Sequence, residues 1–300
     1  MYDRGIIPSA LNYTGSKHKL LPQLLPLFPD DSRKIVDLFA GGGSVGLNLI
    51  NIDNIKFCLL NDIDNNVISF YKYLSAVDLQ EFLFLVEKSI EEYGLSNTKK
   101  YGYDYYHTTS GEGLAKYNKE KYLKLRNDYN ETRDFVLFYL LIVYGFNNQI
   151  RFNKNNEFNL PVGKRDFNIK MENKIKIFIE LIQKKEIQFS SLDFREVSNN
   201  DIDFFYVDPP YLISTASYTE SNKWTETDEQ DLYEYLDKLD DKNIKFALSN
   251  VIFHKNQENE ILKSWAKKYN MHILNYNYNN SNYQSKARYS ETVEVLVTNY

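Results

Sequence analysis

Ten residues constrain this 300-residue chain most: Asp37-Leu-Phe-Ala-Gly-Gly-Gly-Ser-Val-Gly46. They leave an apolar strand pattern over residues 34–38 and enter a helix that Ser44 can cap, running to about residue 51. A second apolar run, 56–60, follows, and Asp64 can cap the next helix. Strand, glycine loop, helix and strand in succession make a βαβ unit, so the pattern predicts a parallel sheet with helices packed on it. The spacing Gly41-x-Gly43-x-x-Gly46 lets the backbone turn sharply and approach a ligand closely.

The alternation then breaks and resumes. Residues 78–93 read as a helix, 94–113 as a Gly/Tyr/Thr loop, and 117–145 as aromatic helical stretches that include RDFVLFYLLIVY. Residues 147–168 turn polar, with Glu157–Gly163 as a small β-structure or ordered loop, and a helix follows to about 183. From 186 strands return at 187–190, 204–207, 245–248, 271–276 and 293–298, with helices at 228–239 and 256–268. The last two strands can form an antiparallel hairpin at a sheet edge. The expectation is therefore an α/β fold: a Rossmann-like, mostly parallel sheet from residues 1–77 and 186–300, with a mainly helical domain inserted at 78–185.

Composition narrows the class. Aromatic residues make up 15% of the chain, ample material for a core, which excludes collagen-like and disordered readings. The single cysteine, Cys58, excludes a disulfide framework and a cysteine-based zinc site. No histidine spacing suggests a metal, so none is expected. There is no run of about 18 apolar residues and no apolar signal segment at the start, and the expectation is a soluble cytoplasmic protein. The net charge is −5, but residues 114–185 hold fifteen Lys+Arg against eight Asp+Glu. A basic segment on an acidic body is what a nucleic-acid-binding insert needs, although a solvated helical face has the same composition.

Three clusters carry chemistry. In the glycine loop, Asp37 and then Asp62 after the second strand suit a nucleotide-bearing ligand. Asp62 can accept hydrogen bonds from ribose hydroxyls. The glycines alone fit a dinucleotide as well as S-adenosylmethionine (SAM). Asp37 tips the balance, because a carboxylate there repels a pyrophosphate and suits the cationic methionine end of SAM. The second cluster is Asp208-Pro209-Pro210-Tyr211, directly after the apolar run 203–207. Two prolines stiffen the end of a strand, where α/β sheets bind ligands. An exocyclic amine of a base can be held between the Asp208 carboxylate and the Pro209 carbonyl. Stacking that base on Tyr211 requires flipping it out of a duplex. The third cluster, Asn12-Tyr13-Thr-Gly-Ser-Lys17, is a polar loop before a helix, weak by itself; Tyr13 can cover an adenine or methionine group and Lys17 can hold a carboxylate.

Together, and in this order, the clusters resemble the Dam-like alpha group of DNA adenine-N6 methyltransferases over nearly the whole chain. The one departure is Ala-Gly-Gly-Gly at 40–43, where members often carry a larger residue. The resemblance implies a SAM-dependent enzyme that methylates a flipped adenine in double-stranded DNA without a covalent intermediate or a metal. It implies that Tyr13, Lys17, Asp37, Phe39, Gly41, Gly43, Asp62, Ile63 and Asp208 lie at the SAM site, with Asp193 toward the adenine end. Arg151-Phe-Asn153 and Glu157–Gly163 are similar to the family's DNA-entering hairpin. Arg151 is expected to pair with a guanine and Pro161 to meet a thymine methyl. Asn147, Asn148, Gln149 and Asn153 are candidate base or phosphate contacts, and Lys154, Lys164 and Arg165 candidate phosphate contacts. Tyr218 can pack the flipped base, Trp224 is expected in the core at the start of a helix, and Lys286 and Arg288 can touch DNA backbone. A GATC-like site, a cognate restriction endonuclease and a monomer complete the expectation. The alternatives are an NAD-dependent oxidoreductase, which leaves Asp208–Tyr211 and the basic segment unexplained, a non-catalytic DNA-binding relative, and the same chemistry on RNA or on cytosine N4.

Overall fold

The computed structural model describes residues 5–11, 13, 15–213, 224–275 and 292–300. The expectations for Asn12, Tyr218, Lys286 and Arg288 lie outside the described residues. In chain order the elements are α1 (Leu21–Leu24), β1 (Lys34–Asp37), α2 (Ser44–Ile50), β2 (Phe57–Asn61), α3 (Asn65–Ala76), α4 (Leu79–Tyr93) and α5 (Thr98–Tyr101). Then come α6 (Ala115–Thr132), α7 (Phe135–Tyr144), α8 (Ile169–Lys184), β3 (Glu186–Ser190), β4 (Phe204–Val207), α9 (Glu226–Asp241), β5 (Lys245–His254), β6 (Gln257–Glu258), α10 (Glu260–Trp265), β7 (Asn270–Leu274) and β8 (Thr292–Thr298).

The chain divides into two compact units. The first holds Lys17–Ile68 and the described part of 185–300, and contains every strand among the described residues. Its sheet has the order β3-β2-β1-β4-β5-β8-β7, with β6 paired to β5. The five strands from β3 to β5 are parallel; β8 runs antiparallel between β5 and β7, leaving β7 at the edge. The chain leaves β1 toward β2 and β3, then returns to lay β4 on the other side of β1. Strand order therefore reverses between β1 and β4, which opens a crevice at their carboxyl ends. Val36, Phe205, Val207, Phe246, Leu248, Val295 and Val297 of the sheet and Leu232 and Leu236 of α9 share one core.

Two local expectations change. The strand expected at 245–248 extends to His254, because β8 gives it a partner along nearly its whole length. The helix expected from 256 begins at Glu260. Lys255 and Asn256 have positive φ, and the turn they make returns Gln257–Glu258 antiparallel onto β5. Asn259 caps the delayed helix through Leu262 N–H.

The second unit gathers Ser69–Lys184 and the described residues up to Ser16, so it begins inside α3. From that point α3 presents Phe70, Tyr71 and Tyr73 to Tyr139, Phe178, Phe82 and Phe135. Helix α7 is apolar all round, with nine of its ten residues buried. At ten residues it is a core helix rather than a span, and no helix among the described residues is long and apolar enough to cross a membrane. Asp134 starts α7 by accepting from Val136 and Leu137 N–H, and Arg133 in a left-handed conformation makes the corner from α6. The expected loop 94–113 contains α5 and is anchored by buried polar groups. Asp166 accepts from the Thr98 amide at 2.6 Å and hydroxyl at 2.9 Å, and Tyr144 donates to the Ser96 carbonyl at 2.6 Å.

Candidate active site

The glycine loop is built on two carboxylates. Asp37 ends β1, and its Oδ2 accepts from Gly46 N–H at 2.9 Å. A Cβ on Gly46 would lie 2.4 Å from Leu60 Cδ2 and 3.1 Å from Asp37 Oδ2, so the helix start closes on the strand only with glycine there. Gly41 and Gly43 both have positive φ. Asp62 follows β2 and takes Gly41 N–H on Oδ2 at 2.7 Å and Asp64 N–H on Oδ1 at 2.9 Å. Asp62 thus also shapes the loop. Ile63 beside it is 57% exposed.

Asp37 is 2% exposed, and its Oδ1 has no hydrogen-bond partner among the described residues. Burial pushes its carboxyl up to about 7, against the pull of Gly46 N–H and with Asp208 and Asp62 adding repulsion. Burial likewise raises Asp62 to about 6, against its two amide donors. An orphaned buried carboxylate oxygen facing further negative charge is a place for a cation.

Across the crevice, Asp208 follows β4. Lys17 Nζ lies 2.8 Å from Asp208 Oδ2, 3.3 Å from Glu294 Oε1, and donates to the Tyr211 hydroxyl oxygen at 2.5 Å. That hydroxyl is 2.9 Å from Asp208 Oδ1 and 3.1 Å from Glu294 Oε1. Burial raises the Asp208 carboxyl and Lys17 pulls it back. Pro209 is buried, while Pro210 and Tyr211 are half-buried. Lys17, expected to hold a ligand carboxylate, here holds the chain's own.

Phe39 belongs to an aromatic group with Phe194 and Trp224, at ring distances of 5.6 and 5.7 Å. Trp224 packs at the start of α9 as expected, its indole donating to buried Glu229 at 2.5 Å. Asp193 caps the short helical turn 194–196 and is paired with Arg195 at 3.1 Å. Two polar residues of this unit escaped the sequence reading. Asn61 is buried at the end of β2, where its amide binds the carbonyls of Leu38 and Leu192, and its oxygen takes the Ser190 hydroxyl and the Leu192 amide. It ties together the loops after β1, β2 and β3. Glu294 had one signal, a lone acid inside the apolar run of β8.

The other expected residues lie in the second unit. Tyr13 is half-buried, and its carbonyl accepts from Ser16 N–H. Residues 151–159 form a narrow ribbon in which Phe152 bridges Phe158. Arg151 is exposed, and Asn159 aligns it by accepting from Nε at 2.8 Å and, through its carbonyl, from Nη2 at 2.8 Å. Asn153 is spent on the turn: its oxygen takes the amides of Asn155 and Glu157, and its nitrogen donates to Glu157 Oε2. Asn148 donates to the Ile142 and Val143 carbonyls and closes the end of α7. Pro161 is exposed and its carbonyl accepts from Phe146 N–H. Lys164 and Arg165 are exposed and reach the carbonyls of Gly111 and Ser110 at 3.3 and 3.4 Å. Among the described residues no His/Cys/Asp/Glu group is arranged to hold a metal.

Comparison with known proteins matches this arrangement. The profile of the D12 class N6 adenine-specific DNA methyltransferases aligns with residues 13–280. The Type II methyltransferase M.FokI of Planomicrobium okeanokoites is 40% identical over 98% of this chain and 43% of its own length. Modification methylase StsI of Streptococcus sanguinis is 36% identical over the same shares. The DNA adenine methylase of Escherichia coli K12 is 25% identical over 88% of this chain and 86% of its own. The chain therefore spans less than half the length of the first two relatives. The match takes in the glycine loop, the basic segment and Asp208–Tyr211 together, which the dinucleotide reading left unconnected: the chain belongs to the D12 class of N6 adenine-specific DNA methyltransferases.

Proposed function

We propose that the protein transfers a methyl group from SAM to the N6 amine of an adenine flipped out of double-stranded DNA, at a specific site. The observation that carries this reading is the pairing, on neighbouring strands, of a crevice with an orphaned carboxylate oxygen (Asp37) and a proline-stiffened acceptor (Asp208). The first fits a cationic ligand and the second fits an amine. SAM, when bound, supplies a methyl group on a positively charged sulfur. Asp37, the Gly41–Gly43 turn, Asp62 and Ile63 are the residues that would hold it, and Phe39 would be kept in place by Trp224 and Phe194. Asp208 accepts a hydrogen bond from the target amine, which turns the nitrogen lone pair outward. Catalysis then rests on positioning and on an acceptor already in place.

The strand-bearing unit is on this reading the catalytic one, and the unit around Ser69–Lys184 recognises the target. In that unit Arg151 reads a guanine with the guanidinium donors that Asn159 leaves available, Pro161 meets a thymine methyl, and Lys164 and Arg165 bind phosphate. A GATC-like site, a cytoplasmic location and a cognate endonuclease are part of the proposal; relatives named as a DNA adenine methylase and as modification enzymes support its adenine target and its place in modification. Incubating randomised duplex DNA with purified protein and SAM, then sequencing the modified positions, tests it. Methyl on adenine within one sequence context is the expected result. No methylation, or methyl on cytosine, would overturn the reading.

A further inference from the structure

Glu294 is the single charged side chain of β8 and is 1% exposed. A carboxylate in such a place needs partners, and two of its partners also hold Asp208: Lys17 Nζ at 3.3 Å and the Tyr211 hydroxyl at 3.1 Å. The hydroxyl has one proton and two carboxylates within reach, Asp208 Oδ1 and Glu294 Oε1, so it serves one at a time. As the chain stands, both oxygens of Asp208 are engaged, one by Lys17 and one within reach of Tyr211. Each oxygen keeps a second lone pair, but an amine is accepted more strongly by an oxygen that no other donor holds.

We infer that Glu294 is a positioning residue for methyl transfer: it shares Lys17 and takes over the Tyr211 hydroxyl, so that an oxygen of Asp208 is released to the target amine. The inference rests on the function proposed above. Without the charge of Glu294, Lys17 and Tyr211 both settle on Asp208 and keep it occupied. Asp37 and Tyr206 also face Asp208 and are left unchanged by this substitution.

Glu294→Gln keeps the shape and removes the charge. We expect kcat to fall at least tenfold, while the SAM dissociation constant from calorimetry changes less than threefold. The acid limb of the pH–rate profile should move to lower pH, because the negative charge of Glu294 helps to keep Asp208 protonated. Wild-type turnover, or loss of kcat and SAM affinity together, would overturn the inference. If Glu294→Gln lowers the melting temperature substantially, the same substitution in a Tyr211→Phe background decides. A cost that shrinks when the hydroxyl is already absent supports the inference, and an additive cost sinks it. Wild-type protein in the same assay separates the two readings: its failure to methylate DNA removes the proposed function, whereas an active wild type with an unimpaired Glu294→Gln removes only the role of Glu294.

Discussion

The crevice between β1 and β4 and the ribbon at 151–159 use polar side chains in opposite ways. In the crevice Asp37 is buried and Asp208 only slightly exposed, and the groups that meet come from far along the chain: Lys17 with Asp208 and Glu294, Gly41 with Asp62. In the ribbon Arg151 and Glu157 are exposed, Asn153 and Asn159 are half-buried, and they bind near neighbours, Asn153 to Glu157 and Arg151 to Asn159. Burial makes the crevice carboxylates hard to ionise and sensitive to one another. The ribbon's hydrogen bonds close within a few residues, so its geometry is local. The crevice is thus suited to chemistry, and the ribbon to presenting a few donors in a fixed frame.

The largest test of that contrast is Asp208→Ala. Methyl transfer should fall more than about a hundredfold, about 2.7 kcal/mol of barrier, with the melting temperature little changed. Turnover of labelled SAM measures it, and retention of a tenth of the activity would mean that Asp208 is not the acceptor. Next is Arg151→Ala, which should cost roughly 1–3 kcal/mol of discrimination at one base pair beside the target adenine. A methylation profile slowed equally at every site would make Arg151 a backbone contact.

A smaller effect should appear in pH. Asp37 carries its carboxyl at about 7, well above the ordinary carboxylate range, so its charged form is lost as pH falls through 7. If that charge meets the cation of SAM, affinity should weaken about tenfold from pH 8 to pH 6. Asp37→Asn should bind weakly at both. A flat calorimetric profile for the wild type would take Asp37 out of the cation's reach. Least of all, Lys164→Ala should weaken binding to every sequence by a few-fold and reduce the salt slope by about 1, with no change in sequence preference.

The βαβ pattern, the glycine loop and Asp208–Tyr211 were legible because each is a run of consecutive residues whose backbone demands are local. Strand alternation, positive φ at Gly41 and Gly43 and paired prolines leave marks in sequence order. So did Arg151, carried by a short motif on its own ribbon. The partners of these residues were not legible. That Asn61 binds the loops after three strands and that Lys17 turns to Asp208 and Glu294 are facts of distance between separate segments. The extension of β5 to His254 was hidden for the same reason, since it depends on β8.

The sequence by itself determined the main strands and helices, where the loops that bear Asp37 and Asp208 begin, and which segment is basic, because hydrophobic period and turn chemistry act over a few residues. The tertiary structure alone decided the state of the groups. Reversal of strand order between β1 and β4 buries Asp37 and leaves one of its oxygens orphaned. Insertion of β8 beside β5 brings a second carboxylate to Lys17 and Tyr211. The charge and hydrogen bonding of a side chain depend on what lies within a few ångströms of it, and that is settled only when distant strands pack.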